Sequence, residues 1–138
     1  MEACLILDTA KPFEVVCADL KNALAKHGFG LMAVHDLAAT LLSKGINLRE
    51  DCRVFEVCNP QQAAKVLQLD MALSVALPCR ISVYTDSGQT RIGMMKPVDM
   101  LRDLSALPEL NQIAQEVQSA MTALVLEAAS PASLCSIC

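Results

Sequence analysis

From Arg80 to Met95 the chain alternates with period two on either side of a turn signal: "RISVYT", then Asp86-Ser87-Gly88, then "QTRIGMM". Ile81, Val83 and Thr85 fall on one side of this ribbon, and Arg80, Ser82 and Tyr84 on the other. A helix returns to the same face only after about 3.6 residues, so strict alternation of this kind fits an extended chain. The segment predicts a β-hairpin with one buried face. A lone hairpin is at best marginally stable in water, so the rest of the chain has to supply further strands and a cover.

Both are legible. "CLILD" (Cys4–Asp8), "LMAVH" (Leu31–His35) and "RVFEVC" (Arg53–Cys58) read as three more strands. Between the first two, Phe13, Val16, Cys17, Leu20 and Leu24 form one helical stripe, with Pro12 at its start and Gly28 in the position that ends a helix. Asp36 caps a short helix, "LAATLLSK", that Gly45 closes. Asn59 as N-cap, Pro60 in the first turn and Gln62 three residues after the cap open a helix that runs to about Leu69. Pro108 opens a long helix in which Leu110, Ile113, Val117, Met121 and Leu124 share a face. These elements predict an α+β two-layer sandwich: a mixed sheet containing one antiparallel hairpin, with helices packed mainly on one face. Residues 1–128 form the expected single domain, and residues 129–138 a mobile, cysteine-containing tail.

Composition narrows the function. The chain has 138 residues, 54% of them apolar but only 3% aromatic, and a net charge of −4. The core must therefore be aliphatic. No basic cluster or aromatic platform is present to hold a nucleic acid. Apolar runs near Met71–Leu77 and Met121–Leu126 are too short to span a bilayer. The start, "MEACLILDTAK", has neither the basic nor the apolar region of a signal peptide, so a cytoplasmic location is expected. Charged residues make up only 19%, which suits a protein that hides surface in a homodimer. Seven cysteines with no even framework predict free thiols in a reducing compartment.

Cys58 and Cys79 stand out among those thiols. Cys58 lies at the carboxyl end of a strand, just before a helix whose free N–H groups and partial positive charge favour a thiolate or an anion. Cys79 follows Pro78 at the entry to the hairpin, on the side of Ile81 and Val83. Both also fit as small buried hydrophobes. With Asn59 and Arg80 they make the candidate ligand site, a crevice expected to be polar. His35-Asp36 invites an acid–base reading, but Asp36 is already explained as a cap, and neighbours in a strand face opposite ways. His27 reads as a helix C-terminal cation. Cys135 and Cys138 form a C-x-x-C that suits a soft metal, short of the four ligands of a structural zinc site. Cys4, Cys17 and Cys52 read as structural. Gly28-x-Gly30 lacks the strand context and third glycine of a dinucleotide site, and no catalytic motif is present.

The triplets Cys58-Asn59-Pro60 and Leu77-Pro78-Cys79, set among "GFG" (Gly28–Gly30), "HDLAATL", "RISVYTDSGQTRIGMMKP" and a long closing helix, resemble the domain of unknown function 302 family over about residues 5 to 127. The resemblance implies a compact α/β two-layer domain, often dimeric, with Cys58 and Cys79 in one site; the "CSIC" tail lies outside it. The expectation is a dimeric, non-enzymatic module binding a small anionic or thiophilic ligand. A thiol redox or sulfur-handling protein is the first alternative and a soft-metal protein using the tail the second; no cofactor is otherwise expected.

Overall fold

A computed structural model describes residues 2–131. Five strands form one sheet: β1 (Cys4–Thr9), β2 (Gly30–Asp36), β3 (Cys52–Cys58), β4 (Cys79–Asp86) and β5 (Gln89–Met95). Their spatial order is β1-β5-β4-β3-β2, and every neighbouring pair is antiparallel. The α+β class is as expected, but the sheet is not mixed. The helix after β1 does connect two strands running the same way. Those strands lie at opposite edges, with three others between them, so no parallel pair forms.

The hairpin at the centre of the sheet matches the alternation. Asp86 pairs with Gln89, leaving Ser87 and Gly88 as a two-residue loop with φ of 50° and 86°. Positive φ at both positions is the twist that a tight hairpin requires. Ile81, Val83, Ile92 and Met94 face the core from this hairpin, joined by Phe55 and Val57 of β3.

The core face is covered by α1 (Phe13–Lys26) and α5 (Pro108–Ala129), which pack against each other. Phe13, Val16, Cys17, Leu20 and Leu24 of α1 are buried, as are Leu110, Ile113, Val117, Met121 and Leu124 of α5. Both stripes expected from periodicity are spent on the core. Smaller helices fill the margins: α2 (Leu37–Ser43), α3 (Pro60–Leu69), a 3-10 helix (Met71–Ala76) and α4 (Pro97–Arg102). Asp36 caps α2 by accepting from the Ala39 N–H at 2.9 Å. Asn59 caps α3 by accepting from the Gln62 N–H at 3.2 Å.

The strand directions give the sheet two distinct ends. At one end lie Cys4, Gly30, Cys58, Cys79 and Met95. At the other lie Thr9, Asp36, Cys52, Asp86 and Gln89. The far end is held by polar contacts. Thr9 Oγ1 donates to the Ala129 carbonyl at 2.8 Å, Lys11 Nζ donates to the Ser130 carbonyl at 2.8 Å, and Arg53 joins Glu14 to Asp36. Among the described residues no helix is long and apolar enough to cross a membrane.

Candidate functional site

Antiparallel pairing sets Cys79 directly opposite Val57, the residue before Cys58. Strand spacing and rise then put the Cα atoms of Cys58 and Cys79 about 6 Å apart. The side chains of Val57 and Cys79 share the core face. Cys58, the last residue of β3, is where the chain leaves the sheet for α3, and it lines the same cleft as Cys79.

That cleft lies between the sheet end, α3, α4 and α5, is open at its mouth, and has a cavity volume of about 30 Å³. Asn59, Gln62, Ala63 and Val66 form the α3 wall. Ile113 and Val117 of α5 and Leu101 of α4 face them. No charged side chain lines it. The sequence led to a polar crevice. The reason it is apolar lies in elements remote in sequence, α4 and α5, which close over the strand ends with aliphatic residues.

Burial in this setting pushes the Cys79 thiol up to about 11, with the neighbouring Cys58 a smaller contribution in the same direction. Cys79 therefore stays protonated near neutrality, the opposite of an activated thiol. The amino terminus of α3 is also less available to an anion than expected, because the Asn59 side chain already occupies the Gln62 N–H.

Gln62 carries the unexpected feature. Its Nε2 donates to Glu116 Oε2 at 3.0 Å, and this hydrogen bond is the leading reason that the Glu116 carboxyl is held below its ordinary range. An ionised carboxylate only accepts, so the amide orientation is fixed. Gln62 Oε1 is left buried with no hydrogen-bond partner among the described residues. Sequence reasoning assigned Gln62 only to helix capping. Its long-range partner Glu116 could not be seen in the local pattern.

Arg80 does not join Cys58, Asn59 and Cys79 in the inner cleft. It is exposed and lines an outer groove that shares Leu77, Pro78, Cys79, Pro97 and Met100 with it. His35 contacts Glu56 on the uncovered sheet face, and His27 ends α1 with Nε2 3.7 Å from Glu127. Cys17 is buried, with its thiol pushed up by that burial. Cys135 and Cys138 lie outside the described residues. Among the described residues no three His, Cys, Asp or Glu side chains gather as a metal ion would need. The chain leaves α5 beside Thr9, at the end of the sheet opposite Cys58 and Cys79.

Residues 6–128 match the family described as "Domain of unknown function DUF302". A solved structure, the crystal structure of an uncharacterized conserved DUF302 protein from Bacillus stearothermophilus, is similar over 94% of this chain and 100% of that one, with 28% identity and a TM-score of 0.87. No curated protein matches the chain.

Proposed function

We propose a function for this chain, which belongs to the DUF302 family, from the cleft it builds: it is a binding module for a small ligand with an aliphatic body. The observation that carries this reading is an open-mouthed apolar cleft at the strand ends, lined by both Cys58 and Cys79. The cavity volume of about 30 Å³ is small, enough for a slender aliphatic end rather than a whole drug-sized molecule. Cys58 and Cys79 supply soft, polarisable contacts, so thiophilic ligands are favoured among apolar ones. The test is a heteronuclear NMR titration with 1-hexanol. Saturable shifts are expected at Cys58, Ala63, Cys79 and Val117, and Ala63→Leu, which fills the mouth from a helical position, should remove them. Shifts scattered over the surface, or unaffected by Ala63→Leu, would refute the assignment.

The adjacency of the two thiols favours a second reading, a dithiol that closes reversibly. The burial that keeps Cys79 protonated works against it, so it ranks below ligand binding.

The protein is also proposed to act as a homodimer. The α5 stripe is used in the core, so the dimer contact is assigned elsewhere, to the β2 edge and the segment after it. There Met32 and Leu42 are each 63% exposed and Ile46 is 53% exposed, beside a strand edge with unpaired backbone groups.

A further inference from the structure

The first residue of β1 and the last of β5 bring two sulfurs together. Antiparallel pairing sets Cys4 directly opposite Met95, on the sheet face away from buried Met94 and the core. Opposed residues of an antiparallel pair have Cβ atoms about 5 Å apart. Here Cys4 Sγ lies 3.5 Å from Met95 Sδ, although 91 residues separate them in sequence. The backbone holds the pair from the next position, where the Lys96 N–H donates to the Ala3 carbonyl at 2.7 Å. Cys4 is a free thiol and Met95 is 45% exposed, so the sulfurs are open to solvent. Theirs is the one hydrogen bond between two sulfurs among the described residues. A thioether is a weak acceptor and water competes for the same thiol, so hydrogen bonding gives this contact little stabilisation.

What a thiol and a thioether share is softness. Paired, they select a soft ion such as Cu(I) over harder divalent ions. Structural zinc takes four ligands, and among the described residues no three His, Cys, Asp or Glu side chains gather. A soft monovalent ion makes no such demand. Metal–sulfur bonds of about 2.3 Å put two ligands of one ion at most about 4.6 Å apart. The two sulfurs stand closer than that limit, and the flexible, exposed Met95 side chain supplies the adjustment. Met95 also borders the outer groove, of about 130 Å³, where Cys79 and Met100 are the other sulfur-bearing residues.

We propose that Cys4 and Met95 form a Cu(I) site. The ion displaces the Cys4 thiol proton, which passes to solvent, and is held by the thiolate and by Met95 Sδ; no electron is transferred. The site is independent of the ligand-binding cleft. It is also separate from the C-x-x-C of Cys135 and Cys138, because the chain leaves α5 at the opposite end of the sheet.

The test is a titration of the full-length chain, carrying Cys135→Ser and Cys138→Ser so that those thiols do not compete, with Cu(I) under argon. Carbon-13-labelled methionine methyl groups report the site, and competition against bicinchoninate reports affinity. The Met95 methyl signal is expected to shift with the first equivalent and then stay constant, and Zn²⁺ should leave it unmoved. Cys4→Ser should abolish the shift. Met95→Leu should weaken the first equivalent by more than the roughly tenfold that outer-sphere partners contribute at metal sites. Met95→Leu conserves volume at a partly exposed position, so its thermal midpoint should equal that of the parent. If the first equivalent leaves the Met95 methyl unmoved, or Met95→Leu binds as tightly as the parent, the assignment is overturned.

Discussion

Cys79 shows how one side chain's surroundings select among chemistries. A thiol raised to about 11 by burial is a packing group and a weak hydrogen-bond donor at pH 7. Its reaction with iodoacetamide, followed by peptide mass mapping, should therefore be slow at pH 8 and accelerate only as the pH approaches 11. Rapid modification at pH 7.5 would show an activated thiol and favour the redox reading. The sign of the stability effect follows. The folded thiol holds its proton more tightly than the unfolded one, whose ordinary value is 9.0, so Cys79 costs nothing below about pH 9. Between there and about 11 the unfolded chain ionises first, and stability should fall as pH rises. Cys79→Ala should flatten that part of the pH–stability curve, as measured by urea unfolding. Cys79 and Cys58 were legible as candidates because both lie at strand ends, with a proline beside Cys79 and one residue beyond Cys58's neighbour Asn59. Arg80 was legible as lying on the other side of the strand, since alternation dictates it. The orphaned oxygen of Gln62 was not, because it depends on Glu116, 54 residues away.

Among the elements, α3 links fold to site most directly, since its cap and the cleft wall are the same few residues. Asn59→Ala should cost about 1 kcal/mol in denaturant unfolding, whereas Asn59→Asp, which retains the capping oxygen, should cost little. Equal losses in the two variants would show that the side chain contributes through packing rather than through the Gln62 N–H. All five strands and the helices α1, α2, α3 and α5 can be read from the sequence, because each carries either a sustained period or a capping residue. The six-residue α4 and 3-10 helix escape that reading. Six residues complete fewer than two helical turns, too few to establish a period, and Pro97 reads equally as a break or as a helix start. Since α4 closes the cleft, missing it also hid the apolar character of the site.

For the molecule as a whole, pairing between distant strands decides what local pattern cannot. The alternation of strands and helices suggested parallel neighbours, yet the helix after β1 carries the chain to the opposite edge and leaves an antiparallel sheet. That arrangement puts β2 at an edge, with Met32, Leu42 and Ile46 exposed around it. Light scattering coupled to size exclusion should give twice the chain mass of 14.8 kDa for wild type, and Leu42→Glu combined with Ile46→Glu should return the single-chain value. A wild-type protein at the single-chain mass would place the low charge content outside any dimer argument. The depression between α3 and α5, beside two thiols, is the centre of the whole account. It is tested most directly by diffraction from crystals under xenon pressure, since xenon enters dry apolar cavities. Xenon is expected between Val66, Cys79 and Val117. If Val66 and Val117 meet across the gap and no xenon lies beside Cys79, the cleft is closed core and the binding function proposed for it is contradicted.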